Sequence, residues 1–470
     1  MKKFITTPIY YINDVPHIGH AYTTIAVDVL TRFYRQKGDN VFFLTGVDEH
    51  GAKIAEAAKK AGENPQDFVD KLVPKFQKTW TNLNISYSEF LRTTNPDHEK
   101  VVSDFVKKIK EKGFIEKRKY EGLYCVGCEK FLAEEDLIDG KCPDHQTIPQ
   151  KQSEENYFFL LSKFQEPLKE AIESGKMQIV PEARKNEILG KLNQGLEDVS
   201  ISRANVSWGI PFPEDEKQTI YVWVDALLNY YSATKIYGEK SPAWPADLHL
   251  MAKDILWFHA VIWPAMLMAL DLDLPRKIFA HGFFTVGGKK MSKTLGNILD
   301  PNKLVEKFGA DAVRYALLRE FPFGEDGDIS EEKISLHYSD LANNIGNLLQ
   351  RTIVMINQYG IKPKSKNQNP NENQNPKTKI DKLIEILEFY EALIEIMKLA
   401  EDSNKFIAEK EPWKLEKEEK RGEQEEVLNI AYHNLEILAE ILEPFMPETS
   451  EKMKTQLETL KPEPLFPKLN

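Results

Sequence analysis

The sequence predicts an α/β protein: a doubly wound, Rossmann-type parallel sheet, interrupted by an inserted domain and followed by an all-α helical bundle. Three observations carry this. Strand and helix patterns alternate from the N-terminus, a cysteine-bearing stretch breaks the rhythm in the middle, and the chain beyond Asp300 is mostly helical in pattern. The 470 residues suffice for roughly two to four domains.

Each element follows from its residues. Lys3 to Ile9 is rich in β-branched and aromatic side chains and reads as a buried strand. From Gly19 to Lys37, apolar residues recur at helical spacing (Ala21, Ile25, Val29, Phe33), and Gly38 stops the helix. NVFFLTGVDEHG supplies a second buried strand ending at Gly46, and AKIAEAAKKAG a second helix. Such a β-α-β-α run favours a parallel sheet. From about Glu116 to Gln218 the rhythm gives way to short strands and mixed loops. TIYVWVDAL (219–227), LHLMAKDIL (248–256) and KIFAHGFFTV (277–286) then read as strands of the same sheet. KPKSKNQNPNENQNPKTK (362–379) is polar and low in complexity, a surface loop between amphipathic helices.

Composition narrows the function classes. The formal net charge of −11 gives no global basic footprint for nucleic acid, so any RNA contact must come from local patches. No run of about 18 apolar residues exists, so no membrane helix is expected. Met1-Lys2-Lys3 leads straight into FITTPIYYI without the apolar core of a signal peptide. The three cysteines, Cys125, Cys128 and Cys142, are clustered and odd in number. That argues for a metal site in a reducing compartment, which points to the cytoplasm.

Two short motifs carry chemistry. In VPHIGHAYTT, His17 and His20 flank Gly19 where a strand gives way to a helix. Free backbone N–H groups and the positive end of the helix suit a phosphate there, and a glycine allows adenine or ribose to approach closely. Alone, the pair fits a helix cap or a core position equally well. In GGKKMSKTLGN (287–297), two glycines precede Lys289, Lys290 and Lys293. Such a basic loop suits closing over a triphosphate, although by itself it is more simply a solvated turn. Together, each after a strand of one α/β domain, the two motifs are highly specific.

TTPIYYINDVPHIGHAYTT, FLTGVDEHG, YVWVDAL, KDILWFHAVIWPAML and AHGFFTVGGKKMSKTLGN together resemble the class I aminoacyl-tRNA synthetases, and among them the methionyl-tRNA synthetases of bacterial type. The likeness runs from about Phe4 to the C-terminus. It is weakest between Gln150 and Gln178 and after Gly360. It implies that His17, Gly19, His20, Asp254, Lys290 and Lys293 hold ATP with its Mg²⁺ during adenylate formation, with His17, His20, Lys290 and Lys293 stabilising the charge that develops. It places Ile9, Tyr11, Asp48, Trp223, Tyr230, Ile255, Phe258 and His259 around methionine. An apolar, aromatic pocket with one carboxylate for the ammonium group suits a thioether side chain. From spacing alone, Trp223 and Phe258 would be plain core aromatics. Ala252 stands where the family usually has glycine, and Trp257 where an arginine is common.

Cys125-x2-Cys128-x13-Cys142-x2-His145 is a set of two close ligand pairs. Three thiolates and an imidazole make a closed tetrahedral zinc site, structural because no position stays open. One zinc per chain is expected, pinning a small knuckle in the insertion; the resemblance implies that it lies near the tRNA acceptor end.

LANNIGNLLQRTIVMINQ (341–358) puts Asn347 and Arg351 on one helix face, and Trp413 follows a proline at a helix start. These residues suit reading unpaired bases, and suit helix packing equally well. The resemblance implies that Asn347, Arg351 and Trp413 meet the anticodon. The expected domains are 1–115 and 219–299 (catalytic), 116–218 (insertion, with the knuckle at 125–145), 300–336 (stem contact) and 337–470 (anticodon bundle). The expected reaction is methionine–tRNA ligation by a monomer, with tRNA(Met), initiator tRNA included, as partner. A small-molecule adenylyltransferase would need neither the zinc insertion nor the helical tail. A non-catalytic tRNA-binding paralogue would not need His17, His20 and Lys293.

Overall fold

The computed structural model describes residues 1–126, 130–132, 134–143, 146–290, 299–363 and 376–469. They divide into two compact units. The first comprises Met1–Val15, Asn40–Gln77 and Tyr87–Ala280; the second comprises Pro16–Asp39, Lys78–Ser86 and His281–Asn470. Among the described residues no helix is long and apolar enough to cross a membrane.

The first unit is built on a six-stranded sheet. In chain order its strands are β1 (Lys2–Tyr11), β2 (Asn40–Asp48), β3 (Glu89–Arg92), β4 (Gln178–Val180), β5 (Leu248–Ala252) and β6 (Lys277–His281). Their order in the sheet is β3-β2-β1-β5-β6-β4, with β1 parallel to β2 and β5, β2 parallel to β3, and β6 parallel to β4. The central strands are buried runs of β-branched and aromatic residues, as a parallel sheet covered on both faces requires. The β1–β2 register shifts between Thr6 and Ile9, around Pro8, which has no N–H to give the ladder.

The inserted part is antiparallel. Ile115–Cys125 pairs with Gln150–Phe159 along its length, with Lys130–Leu132 and Val199–Ser200 at the two edges. One sequence expectation is corrected here. TIYVWVDAL is not one strand: Asp215–Ile220 is extended, and the chain turns helical over Val222–Leu227. A short apolar run cannot tell a strand from a buried helix by periodicity. Likewise β5 stops at Ala252 before a 3₁₀ turn at Lys253–Ile255, and KIFAHGFFTV is broken between β6 and the strand Phe284–Val286.

The second unit is predominantly helical. Helix α1 (Ile18–Gln36) packs against Ala310–Arg319 and Pro376–Glu385, in a unit whose other helices include Asn347–Tyr359, Phe389–Lys410 and Arg421–Leu442. Its α1 is buried on most of its circumference. The polar centre of the unit is Arg314, fully buried. Its guanidinium meets Asp28 Oδ2 at 2.7 Å and donates to the carbonyls of Leu83 (3.1 Å), Pro444 (2.9 Å) and Phe445 (2.8 Å). Asp28 also accepts from Arg32 and from the Ser86 amide and hydroxyl. Burial works against its charge, but Arg314 and Arg32 outweigh that and hold the carboxyl below its usual range.

Candidate functional site

In the second unit, the histidine pair itself forms the turn that starts α1. His17 is the N-cap: its Nδ1 accepts from the Gly19 amide (3.1 Å), while His20 Nδ1 accepts from the His17 amide (3.3 Å). The two rings stack with centroids 3.8 Å apart. This is a capping box with imidazoles in place of the usual hydroxyl and carboxylate. An amide N–H only donates, so each Nδ1 is the bare nitrogen and each ring carries its proton on Nε2. Burial, then the neighbouring His17, push His20 well below the usual imidazole range, so it is neutral at pH 7. The backbone thus selects one tautomer at both rings, at the positive end of a helix.

The residues on either side of the lysine motif are fastened to the same helix. The Ile18 amide donates to the carbonyl of Leu299, the first described residue after 291–298 (3.2 Å). Thr23 Oγ1 lies 2.7 Å from His281 Nε2, and His281 Nδ1 lies 2.7 Å from the Gly282 carbonyl. A carbonyl only accepts, so Nδ1 holds the proton and the Thr23 hydroxyl donates to Nε2. The hairpin of Phe284–Val286 and Lys289–Lys290 turns at Gly287 and Gly288, with φ of +62° and +70°, the left-handed region that glycine enters freely. Asp328 holds this turn, accepting from the Gly288 amide (2.8 Å) and the Thr285 hydroxyl (2.9 Å). Sequence reasoning missed His281, although it sits in AHGFFTVGGKKMSKTLGN, and Asp328, which sits in FPFGEDGDIS (321–330) of the expected stem-contact segment. Lys290 pairs with Thr285 through its backbone. Its side chain and all of Lys293 lie outside the described residues.

The predicted amino-acid pocket lies in the first unit. Asp48 ends β2 directly opposite Tyr11 at the end of β1, and Ile9 lies opposite Gly46. A methyl on Gly46 would come within 2.1 Å of the Leu91 carbonyl oxygen, so glycine is required there. Trp223 and Phe258 stack at 3.8 Å, 5° from parallel, with His259 edge-on to Trp223. His259 Nδ1 donates to the Ile255 carbonyl (2.9 Å), which leaves Nε2 to accept from the Tyr230 hydroxyl (2.8 Å). The strand ends thus carry a carboxylate, and Tyr11, Trp223, Ile255 and Phe258 pack on one hydrophobic core that includes Tyr230. Asp254 stands exposed in the 3₁₀ turn after β5.

Two of these buried imidazoles make stability pH-dependent. Burial pushes His259 and His281 from 6.5 down to about 4. The unfolded chain therefore binds more protons between those values, and stability falls as pH drops from about 6.5 towards 4. Each histidine should cost about 2 kcal/mol by pH ~5. Melting temperatures at pH ~7.5 and ~5 check this; equal values would contradict it.

Cys125 and Cys142 are buried together with Leu132 in a small cluster of their own, and Thr147 Oγ1 lies 3.9 Å from Cys125 Sγ. Cys128 and His145 lie outside the described residues, within which no group of three or more metal-ligand side chains assembles. Two buried thiols beside one another, in a cluster this small, fit a knuckle that a metal would hold together. In the helical region Asn347 is exposed at the start of Asn347–Tyr359. One turn on, the Arg351 guanidinium sits 5.2 Å from the centroid of the Trp413 ring. Trp413 is half-buried at the start of the helix Pro412–Lys417.

The family model described as tRNA synthetases class I (M) matches residues 3–153 and 145–353. A methionine–tRNA ligase of Caldanaerobacter subterraneus subsp. tengcongensis is 46% identical over 97% of this chain and 74% of its own length. One of Nostoc sp. is 44% identical over 96% and 89%. The structure of Mycobacterium tuberculosis methionyl-tRNA synthetase in complex with methionyl-adenylate superposes with a TM-score of 0.92 at 36% identity, covering 99% of this chain and 100% of that one.

Proposed function

This chain belongs to the class I aminoacyl-tRNA synthetases of the methionine-specific kind, and we propose from that a role for each of its site residues. It is a ligase that joins methionine to tRNA: ATP and methionine give methionyl-adenylate, and the methionyl group then passes to tRNA(Met). The carboxylate attacks the α-phosphate, a reaction that depends on positioning and charge stabilisation more than on a general base. We assign His17, Gly19, His20, Asp254, Lys290 and Lys293 to ATP. His17 and His20 offer Nε2–H to phosphate oxygens, and the two lysines neutralise charge as it develops. The methionine ammonium goes to Asp48; Ile9, Tyr11, Trp223, Tyr230, Ile255, Phe258 and His259 surround the side chain.

The observation that supports this most directly is the histidine capping box, because it ties Nδ1 of both rings to the backbone and so puts the proton of each on Nε2, at a helix N-terminus. Methionine-dependent exchange of labelled pyrophosphate into ATP tests the reading. Exchange with leucine or cysteine, and silence with methionine, would overturn it.

The domain division we favour is 1–115 with 219–299 for activation, 116–218 towards the acceptor end, 300–336 for stem contact and 337–470 for the anticodon. We place the protein in the cytoplasm, as a monomer that serves initiator as well as elongator tRNA. Zinc, held by Cys125, Cys128, Cys142 and His145, would be structural; metal analysis after purification without chelator should find about one atom per chain. Asn347, Arg351 and Trp413 face the anticodon in this reading. An aromatic platform is worth about 1–3 kcal/mol per stacked base. Trp413→Ala should therefore lower kcat/KM for tRNA by about one to two factors of ten, with tRNA-independent exchange near normal. A lower melting temperature with both activities impaired would make Trp413 a packing residue only.

A further inference from the structure

Beneath the amino-acid pocket runs a chain of buried polar groups that the assigned roles leave unused. Asp225 is 1% exposed. Its Oδ2 meets His50 Nδ1 at 2.7 Å and its Oδ1 meets His98 Nε2 at 2.8 Å. His98 Nδ1 in turn lies 2.8 Å from Ser232 Oγ, and His50 Nε2 lies 3.7 Å from Glu99 Oε1. His50 and His98 are themselves buried.

Three of these residues stand two positions after a pocket residue on the same segment: His50 after Asp48, Asp225 after Trp223, and Ser232 after Tyr230. The helix that carries Trp223 is only Val222–Leu227, and its N-terminus has no side-chain cap. A helix this short does not hold its own orientation. Ring stacking is broad in geometry, whereas a buried carboxylate is held by directional, charge-assisted hydrogen bonds that are costly to break. Asp225 is thus the group that fixes where Trp223 stands relative to Asp48.

We propose that the relay Ser232–His98–Asp225–His50 is a positioning device for the amino-acid pocket and sets the affinity for methionine. It rests on the pocket assignment made above. None of the four needs to touch substrate; they act through Asp48, Trp223 and Tyr230. The charges around His50 support the same arrangement: burial disfavours its proton, but Asp225, then Glu99 and Glu49, more than restore it. Asp225 is held below the usual carboxylate range, burial being outweighed by His50 and His98. Both shifts favour the imidazolium–carboxylate form of the pair, whose hydrogen bond is stronger than a neutral one.

The test is steady-state pyrophosphate exchange with the full chain, comparing Asp225→Asn, Ser232→Ala and Trp223→Ala with the parent. Asp225→Asn should raise the methionine KM by about tenfold or more, the scale of a lost charge-assisted hydrogen bond. The ATP KM should stay within about twofold. Trp223→Ala is the reference. If it leaves the methionine KM unchanged, the pocket assignment falls, and the relay with it. If it raises that KM while Asp225→Asn does not, the relay alone is overturned. A parallel rise in both KM values would also overturn the relay, because it would mean general loosening of the unit. Should Asp225→Asn fail to fold, Ser232→Ala decides: it removes one hydroxyl at the far end and should raise the methionine KM about threefold. A parental KM there overturns the proposal.

Discussion

His17→Asn is expected to fold as well as the parent chain and yet to form methionyl-adenylate about two to three orders of magnitude more slowly. The reason lies in which nitrogen does what. Nδ1 of His17 serves the helix, accepting from the Gly19 amide, and an asparagine oxygen at the same reach is among the best N-cap acceptors. Nothing in asparagine stands where Nε2 stands. Loss of a preorganised donor to a transition state costs about 10²–10³ in rate. His17→Gln should show the reverse pattern: its amide reaches the outer position but caps poorly, so about 1 kcal/mol of stability is lost while part of the exchange rate survives. Melting temperature and exchange rate, measured on both variants, separate the two duties. Parental exchange in His17→Asn would end the assignment of His17 to ATP.

Arg314→Met is expected to lose about 3–5 kcal/mol of stability, the cost of leaving a buried charge without its partner. Asp28 would stay buried with only Arg32 and Ser86 beside it. Three carbonyls, of Leu83, Pro444 and Phe445, would lose their donor as well. The deficit has a pH signature. In the parent, Asp28 is held below its usual range, so its contribution is complete at neutral pH and fades only as pH falls through that lowered value. In the variant the carboxyl is pushed up and can protonate, which removes the stranded charge. The gap between the two proteins should therefore narrow as pH is lowered towards ~4. Urea unfolding at several pH values measures it, and a gap that stays constant would mean that Asp28 is not the group responsible.

Much of this was legible because the informative residues lie close together in sequence. The runs that form β1, α1 and β2 show their burial in composition and period, and the histidine motif sits at the junction of the first two. What could not be read was whatever depends on a partner far along the chain. Nothing near Asp28 announces Arg314, and Asp225 gives no sign that His50 and His98 will share it. The segment 219–227 misled for a related reason: an apolar run fits a strand or a buried helix, and only the surrounding packing decides. Gly46 was read as the end of a strand; its real constraint, the Leu91 carbonyl, belongs to a strand more than forty residues away, as the Leu44–Glu89 and Gly46–Leu91 pairings show.

The sheet order also bears on how the protein is made. Thr6 and its neighbour His249 are separated by 243 positions, so β1 waits for β5 until that much more chain has been synthesised. At about 5–20 residues per second, the wait is roughly 10–50 s. Throughout it, one side of β1 is an open edge of backbone donors and acceptors, the kind of surface on which two nascent chains join. Lys2 and Lys3 at one end of that strand and Pro8 near the other are the features that make such pairing unfavourable. Replacing them should therefore lower the yield of soluble protein during translation more than it lowers the stability of the finished molecule.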